Sequence, residues 1–227
     1  MMIVDSMTYD EILELLKVDT RILEHMIQEN EKKYKRLVAN SRNKGRKYFK
    51  PIKFQSACGF HYVLIFIDQG VDVPAKRRLG SFFYVWYIQN RGMYAITISL
   101  LEKIKWHATF FTPHFIERYR ERCLKDVTVC KRDAFHHYLM NNLKMSSMKS
   151  KVESEKYPGE YWMFCNEGMC LCKQLQGFTV LARTFITWDM AGRDQQRLGI
   201  EGHSFMLERG FESKIPVEDF EEYQLET

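Results

Sequence analysis

Residues 81–100 read SFFYVWYIQNRGMYAITISL. Two runs of aromatic and β-branched residues flank Gln89-Asn90-Arg91-Gly92. Such side chains pack well on a pleated surface, and an Asn-containing break of this length suits a tight hairpin. The stretch therefore predicts two antiparallel strands. FHYVLIFID (60–68) before it and IKWHATFF (104–111) after it have the same character, so residues 60–111 form a strand-rich block. Within that block, Gly70 to Gly80 contains Pro74 and Lys76-Arg77-Arg78 and reads as an exposed basic loop.

Towards the amino terminus the pattern becomes helical. Thr8 precedes Tyr9-Asp10-Glu11, the spacing at which a Thr side chain and a Glu three residues later cap a helix reciprocally. This predicts a helix over about Tyr9–Lys17. A longer one starts at Asp19 or Thr20 and runs towards Ser41, with Ile22, Leu23, Met26, Ile27, Tyr34, Leu37 and Val38 at helical spacing. Towards the carboxyl terminus, Thr112-Pro113 switches the chain from strand to helix, because Thr caps well and Pro fits the first helical position. A further helix is expected over Asp133–Met145. A loop then covers Met145–Glu160, followed by strands YWMFCN, MCLCKQLQ and FTVLARTFIT, the first two joined at Glu167-Gly168. DMAGRDQQRL (189–198) suggests a short helix and IPVEDFEEYQLE (215–226) a terminal acidic one.

These elements predict an α+β fold, an antiparallel sheet flanked by helices with an N-terminal helical extension. Three regions are expected: N-terminal helices with a basic arm (1–48), an α+β core (49–198, divided into 49–111 and 112–198), and an acidic tail (199–227). The chain of 227 residues is 45% hydrophobic and 28% charged, with 5 Pro, which excludes disordered and fibrous classes. No run approaches the roughly 20 apolar residues of a membrane-spanning helix. The acidic amino terminus is unlike a secretory signal, so a soluble, cytoplasmic protein is expected, its six cysteines free thiols. From Glu29 to Lys50 nine Lys/Arg stand against two Glu, whereas Phe211–Thr227 holds six acids and one Lys. Lys32, Lys33, Lys35, Arg36, Lys44, Arg46 and Lys47, interleaved with Tyr34, Tyr48 and Phe49, suit phosphate contact and base stacking. They equally suit a solvated helix face or a pairing with the acidic tail.

Residues 112–122, TPHFIERYRER, carry the densest chemistry. On one continuous helix, Phe115, Ile116, Tyr119 and Cys123 share a face, and His114, Glu117, Arg118, Glu121 and Arg122 share the other. One reading is a solvated face with Glu117–Arg120 and Arg118–Glu121 pairs. The other is a phosphate-handling site: His114 as a neutral general base in the first turn, with Arg118 and Arg122 binding an anion through their guanidinium groups. In FTVLARTFIT (178–187), strict alternation puts Thr179, Leu181, Arg183, Phe185 and Thr187 on one face. An arginine buried in so apolar a strand needs an anionic partner, such as Glu117 or Glu121.

A helix with H-x3-R-x3-R (His114, Arg118, Arg122), a second helix, strands, and a strand with R-T-x-x-T (Arg183, Thr184, Thr187) resembles the RelE-like and BrnT-like toxin ribonucleases. These belong to the barnase–EndoU–colicin–RelE group. The resemblance spans about residues 112–196. It implies metal-independent RNA cleavage by attack of a ribose 2′-hydroxyl on its neighbouring phosphate, without cofactor. His114 would then act as acid or base, Arg118 and Arg183 would stabilise the phosphorane, and Thr184 or Thr187 would position substrate. RNA, and a neutralising protein, are the implied partners. The alternative is a nucleic-acid-binding or protein-interaction module of a mobile element, without catalysis. The strand block before the helix and the Met145–Glu160 loop depart from the family pattern.

The remaining candidates are weaker. A turn at Glu167-Gly168 would place Cys165 opposite Cys170, with Cys172 on the same face. C-x4-C-x-C lacks the spacing of structural zinc sites, and a core role is favoured over a metal site. His107 pairs readily with a sheet edge, and His136-His137 lie about 100° apart on a helix. No H-E-x-x-H, Walker, G-x-S-x-G or dinucleotide motif occurs.

Overall fold

The computed structural model describes residues 2–101, 105–142, 146–149, 160–175, 177, 179–193 and 195–200. The fold is α+β, with helices beside a mostly antiparallel sheet. The chain divides into two compact units, 1–108 and 109–227.

In the first unit, α1 (Tyr9–Asp19) opens with the reciprocal Thr8–Glu11 cap. α2 (Arg21–Ala39) follows after Thr20, whose hydroxyl donates to Lys17 C=O (2.9 Å) instead of capping α2. The strands are β1 (Lys47–Tyr48), β2 (Ile52–Gln55), β3 (His61–Asp68), β4 (Leu79–Gln89) and β5 (Gly92–Leu101). β1 and β2 lie along the same strand, β3, which pairs on with β4 and then β5. Pro51 falls in the break between β1 and β2, a place where no ladder donor is required. β3 is buried from Tyr62 to Asp68, which is why HYVLIFID lacks the alternation of a half-exposed strand. Tyr34 of α2 stacks on Phe66 at 4.4 Å. The β4–β5 connection is the expected hairpin: Gln89 faces Gly92, and Asn90 and Arg91 both adopt positive φ, as a two-residue type I′ turn requires.

The 70–80 segment departs from an exposed basic loop. It contains α3 (Ala75–Arg78), and Arg78 turns inward to fully buried Asp68, Nε to Oδ1 at 2.9 Å. Arg78 also donates to Ser41 C=O (2.8 Å). A buried carboxylate without such a partner would be costly, and Arg78, ten residues on, supplies the compensating cation.

The second unit contains the end of β6 (Lys105–Phe111), α4 (Pro113–Tyr119), a π-helical turn (Arg120–Leu124), α5 (Lys131–Asn142), β7 (Ser146–Lys149), β8 (Glu160–Cys165), β9 (Gly168–Gln174) and β10 (Thr179–Thr187). The strand order is β6–β10–β9–β8–β7. β7 pairs with β8, so part of the expected 145–160 loop is strand. Residues 150–159 lie outside those described. One sheet face packs Phe185 against Phe115, Tyr119 and Tyr138 of the helices, with edge-to-face rings 5.3–6.0 Å apart. The other face carries Phe164 and Met169 beneath Trp188, Ala191 and Leu198. Trp188–Met190 is a 3-10 turn and residues 195–200 are helical, in line with the helix expected over 189–198. The expected terminal acidic helix lies outside the described residues.

The β8–β9 turn is Asn166-Glu167, with Cys165 opposite Gly168. This corrects the register: Met163, not Cys165, faces Cys170. A Cβ on Gly168 would run into Ile186 C=O and lie 2.9 Å from the Phe185 ring, so the turn begins one residue earlier and the glycine opens the strand.

Candidate functional site

Two departures from regular geometry and one hydrogen-bond network decide where the candidate residues stand. The first is in β10, where the register with β9 shifts between Ala182 and Thr184. Arg183 is the extra residue of a β-bulge, which reverses the alternation beyond it. Ala182 and Phe185 are buried and Arg183 is exposed. The expectation of a buried Arg183 needing a carboxylate is thereby corrected: its guanidinium reaches solvent and has no hydrogen-bond or ion-pair partner among the described residues. The bulge also presents Arg183 C=O to Thr112, whose hydroxyl donates to it (3.1 Å) while accepting from Phe115 N–H (3.1 Å). One hydroxyl thus joins the start of α4 to the bulge. His114, the second residue of α4, is exposed.

The second departure is the end of α4. Its last turn widens into the π-helical segment 120–124, where one residue more per turn changes the phase. Arg122 leaves the His114–Arg118 face and donates to Phe185 C=O; it does not line up with Arg118 as a continuous α-helix would have it. Arg118 pairs with Glu121 (2.6 Å) on a surface where both are over one third exposed, so the pair adds little stability. Glu117 pairs with Lys131 (2.6 Å), not Arg120. Hydrogen bonding to Lys131, above its other contacts, lowers the Glu117 pKa. Thr187, half-buried at the end of β10, sits opposite Gly168, four residues or about 13 Å along the strand from Arg183. His114 and Arg183 thus flank one hydroxyl-joined seam, and Arg122 and Thr187 stand further along β10.

The third feature is one that sequence spacing did not reveal. Glu167, in the β8–β9 turn, accepts at Oε2 from Tyr119 Oη (2.6 Å) and Asn142 Nδ2 (2.7 Å), and at Oε1 from Asn141 Nδ2 (3.1 Å). Its own N–H donates to Asn142 Oδ1 (3.0 Å). Tyr119 Oη is also 2.8 Å from His137 Nδ1. Burial, then the hydrogen bond to Glu167, pushes the Tyr119 phenol far above its ordinary pKa. Cys123 is pushed up to about 12, by burial first and the Glu167 charge second. Helical spacing puts Tyr119 on the apolar face alone, and it says of His137 only that it adjoins His136. The one local signal was a glutamate at a hairpin otherwise flanked by apolar strands, with Asn141-Asn142 ending α5.

The cysteines are core residues. Cys165 Sγ donates to Gly168 C=O (3.1 Å), and Tyr138 Oη lies 3.2 Å from Cys170 Sγ. Burial pushes the Cys165 and Cys172 thiols well up. Among the described residues no group of three or more His, Cys, Asp or Glu is placed to hold a metal ion. His107 is half-buried, and that burial lowers its pKa.

In the first unit, Lys32, Lys33, Lys35, Arg36, Lys44, Arg46 and Lys47 are all exposed. Lys35 pairs with Glu31 (2.8 Å), Arg46 donates to Gln69 Oε1 (3.1 Å), and Lys33 lies 5.6 Å from the Tyr34 ring centre. Tyr34 itself is buried, so it supports the core and is not a stacking platform. Among the described residues no helix is long and apolar enough to cross a membrane. No protein-family model, curated protein or solved structure matches this chain.

Proposed function

We propose that the protein acts on RNA as a metal-independent endoribonuclease, cleaving by attack of a 2′-hydroxyl on the adjacent phosphate. The observation that carries this reading is the Thr112 seam. It fixes the start of α4 to the bulge of β10, with Arg183 turned to solvent there and His114 exposed one residue past Pro113. A guanidinium held on a bulge, and not on a free loop, is pre-organised to meet a phosphate in bidentate fashion. Its lack of a carboxylate partner among the described residues leaves that capacity unspent. Arg118 can exchange Glu121 for a phosphate at small cost, since their pair is solvent-exposed. Arg122, bonded to Phe185 C=O, supports the fold, and Thr187 contacts substrate only if the strand binds along β10.

The second reading, binding of nucleic acid without cleavage, is favoured by a different observation. Seven cations of the basic arm are exposed, and such a set gives sequence-independent affinity that falls steeply with salt. Labelled single-stranded RNA incubated with the protein in EDTA separates the two. Cleavage that His114→Ala and Arg183→Ala both weaken supports the nuclease. Salt-sensitive binding without cleavage supports the module.

A further inference from the structure

The hydrogen-bond pattern around Glu167 fixes a proton inventory. Tyr119 Oη and Glu167 Oε2 are 2.6 Å apart, the length of a charge-assisted O–H···O bond. An ionised carboxylate only accepts, and Glu167 already accepts from the amides of Asn141 and Asn142. The proton between the two oxygens is therefore the phenol's own, and Tyr119 has no second proton to give. Its contact with His137 Nδ1 (2.8 Å) must then be donated by the imidazole. A neutral ring with its proton on Nδ1 has its lone pair on Nε2. Asn141 Nδ2 lies almost equally far from Nδ1 (3.2 Å) and Nε2 (3.3 Å), a position over the ring face that leaves the in-plane lone pair of Nε2 unoccupied by it. His137 is exposed, whereas Tyr119 is buried and Asn142 fully so. The series thus runs from an anchored carboxylate, through a buried phenol, to an accessible ring nitrogen.

We propose that His137 is the general base of the cleavage reaction, with Tyr119 and Glu167 as positioning residues that hold its lone pair on Nε2. The proposal rests on the RNA reading above and assigns proton removal to His137, at the Thr187 end of β10, leaving His114 and Arg183 to hold another phosphate of the same strand about 13 Å away. The step is balanced. Nε2 takes the proton of a ribose 2′-hydroxyl, the 2′-oxygen bonds to phosphorus, the P–O5′ bond breaks, and the 5′-oxygen leaves with a proton from water, whose hydroxide then takes the proton from Nε2 and returns the ring to neutral. The imidazolium so formed donates through Nδ1 to Tyr119, which donates to the negative Glu167. A nucleophile-activating base oriented by a third group has the same logic in unrelated enzymes. By contrast, no described residue hydrogen-bonds the His114 ring to fix its tautomer.

The test has two arms. In 15N-labelled protein, neutral His137 should show Nε2 as the unprotonated nitrogen, and Tyr119→Phe should shift the population to the Nε2–H tautomer common in water. An Nε2–H ring in the parent overturns the proposal whatever the activity. In cleavage assays, His137→Ala should lower kcat by about 10²–10⁴-fold, the usual contribution of a general base, with little change in KM. His114→Ala should act mainly on KM. If the parent cleaves and His137→Ala cleaves equally fast, the assignment fails while the RNA reading stands. If the parent does not cleave, both fail.

Discussion

Replacing Thr112 with alanine should cost about 1–2 kcal/mol of stability. The hydroxyl accepts from Phe115 N–H and donates to Arg183 C=O, each at 3.1 Å. Loss of a Thr N-cap typically costs about 1 kcal/mol. A net hydrogen bond to a backbone carbonyl adds roughly 0.5–1.5 kcal/mol, and partial exposure of Thr112 favours the lower part of that range. Thr112→Ser keeps both bonds and should cost less than about 0.5 kcal/mol. Urea unfolding followed by tryptophan fluorescence measures the series; with a slope of about 1–3 kcal/mol/M, the alanine midpoint should fall by roughly 0.3–2 M. An alanine variant as stable as the parent, or a serine variant as weak as alanine, would refute the claim that one hydroxyl joins α4 to the bulge.

The Asp68–Arg78 pair predicts acid sensitivity in the first unit. The Arg78 hydrogen bond holds the Asp68 pKa below its ordinary 3.8. A depressed folded value contributes stability that is fully present above the unfolded pKa and lost as pH falls below about 4 through the folded one. Asp68→Asn should remove this acid-dependent component and, by leaving Arg78 unpaired, destabilise by about 3–5 kcal/mol at pH 7; unchanged stability there would count against the buried pair. Gly168→Ala should cost about 1–3 kcal/mol through collision with Ile186 and Phe185, whereas Gly45→Ala, with nothing within 4 Å of its added carbon, should stay within about 0.5 kcal/mol. Thiol labelling read by mass spectrometry should modify exposed Cys130 first and spare Cys165, Cys170 and Cys172 until the protein unfolds. Early labelling of the last three would contradict their core placement.

The parts of the fold that local chemistry dictates were legible in the sequence. Thr8–Glu11 capping, the Asn90-Arg91 turn and the Thr112-Pro113 helix start all depend on residues within four positions of one another. What was not legible depends on departures from regular period or on distant partners. Strict alternation misplaced Arg183 because a bulge adds one residue to β10. A continuous helix misplaced Arg122 because the last turn widens at Arg120. Arg78 looked like a loop cation, since nothing nearby announces that Asp68, ten residues back, ends a buried strand. For the candidate site, His114 and Arg118 followed from helical spacing. The hydrogen-bonded cluster of Tyr119, His137 and Glu167 did not, because its members come from two helices and a hairpin turn, 18 and 30 residues apart, and no short motif joins them.

The most direct measurement is the chemistry of the RNA ends. Labelled single-stranded RNA is incubated with the parent protein in excess EDTA, and the products are resolved by mass. Fragments ending in a 2′,3′-cyclic phosphate, with 5′-hydroxyl partners, are expected. Intact RNA, or cleavage that EDTA abolishes, would contradict it.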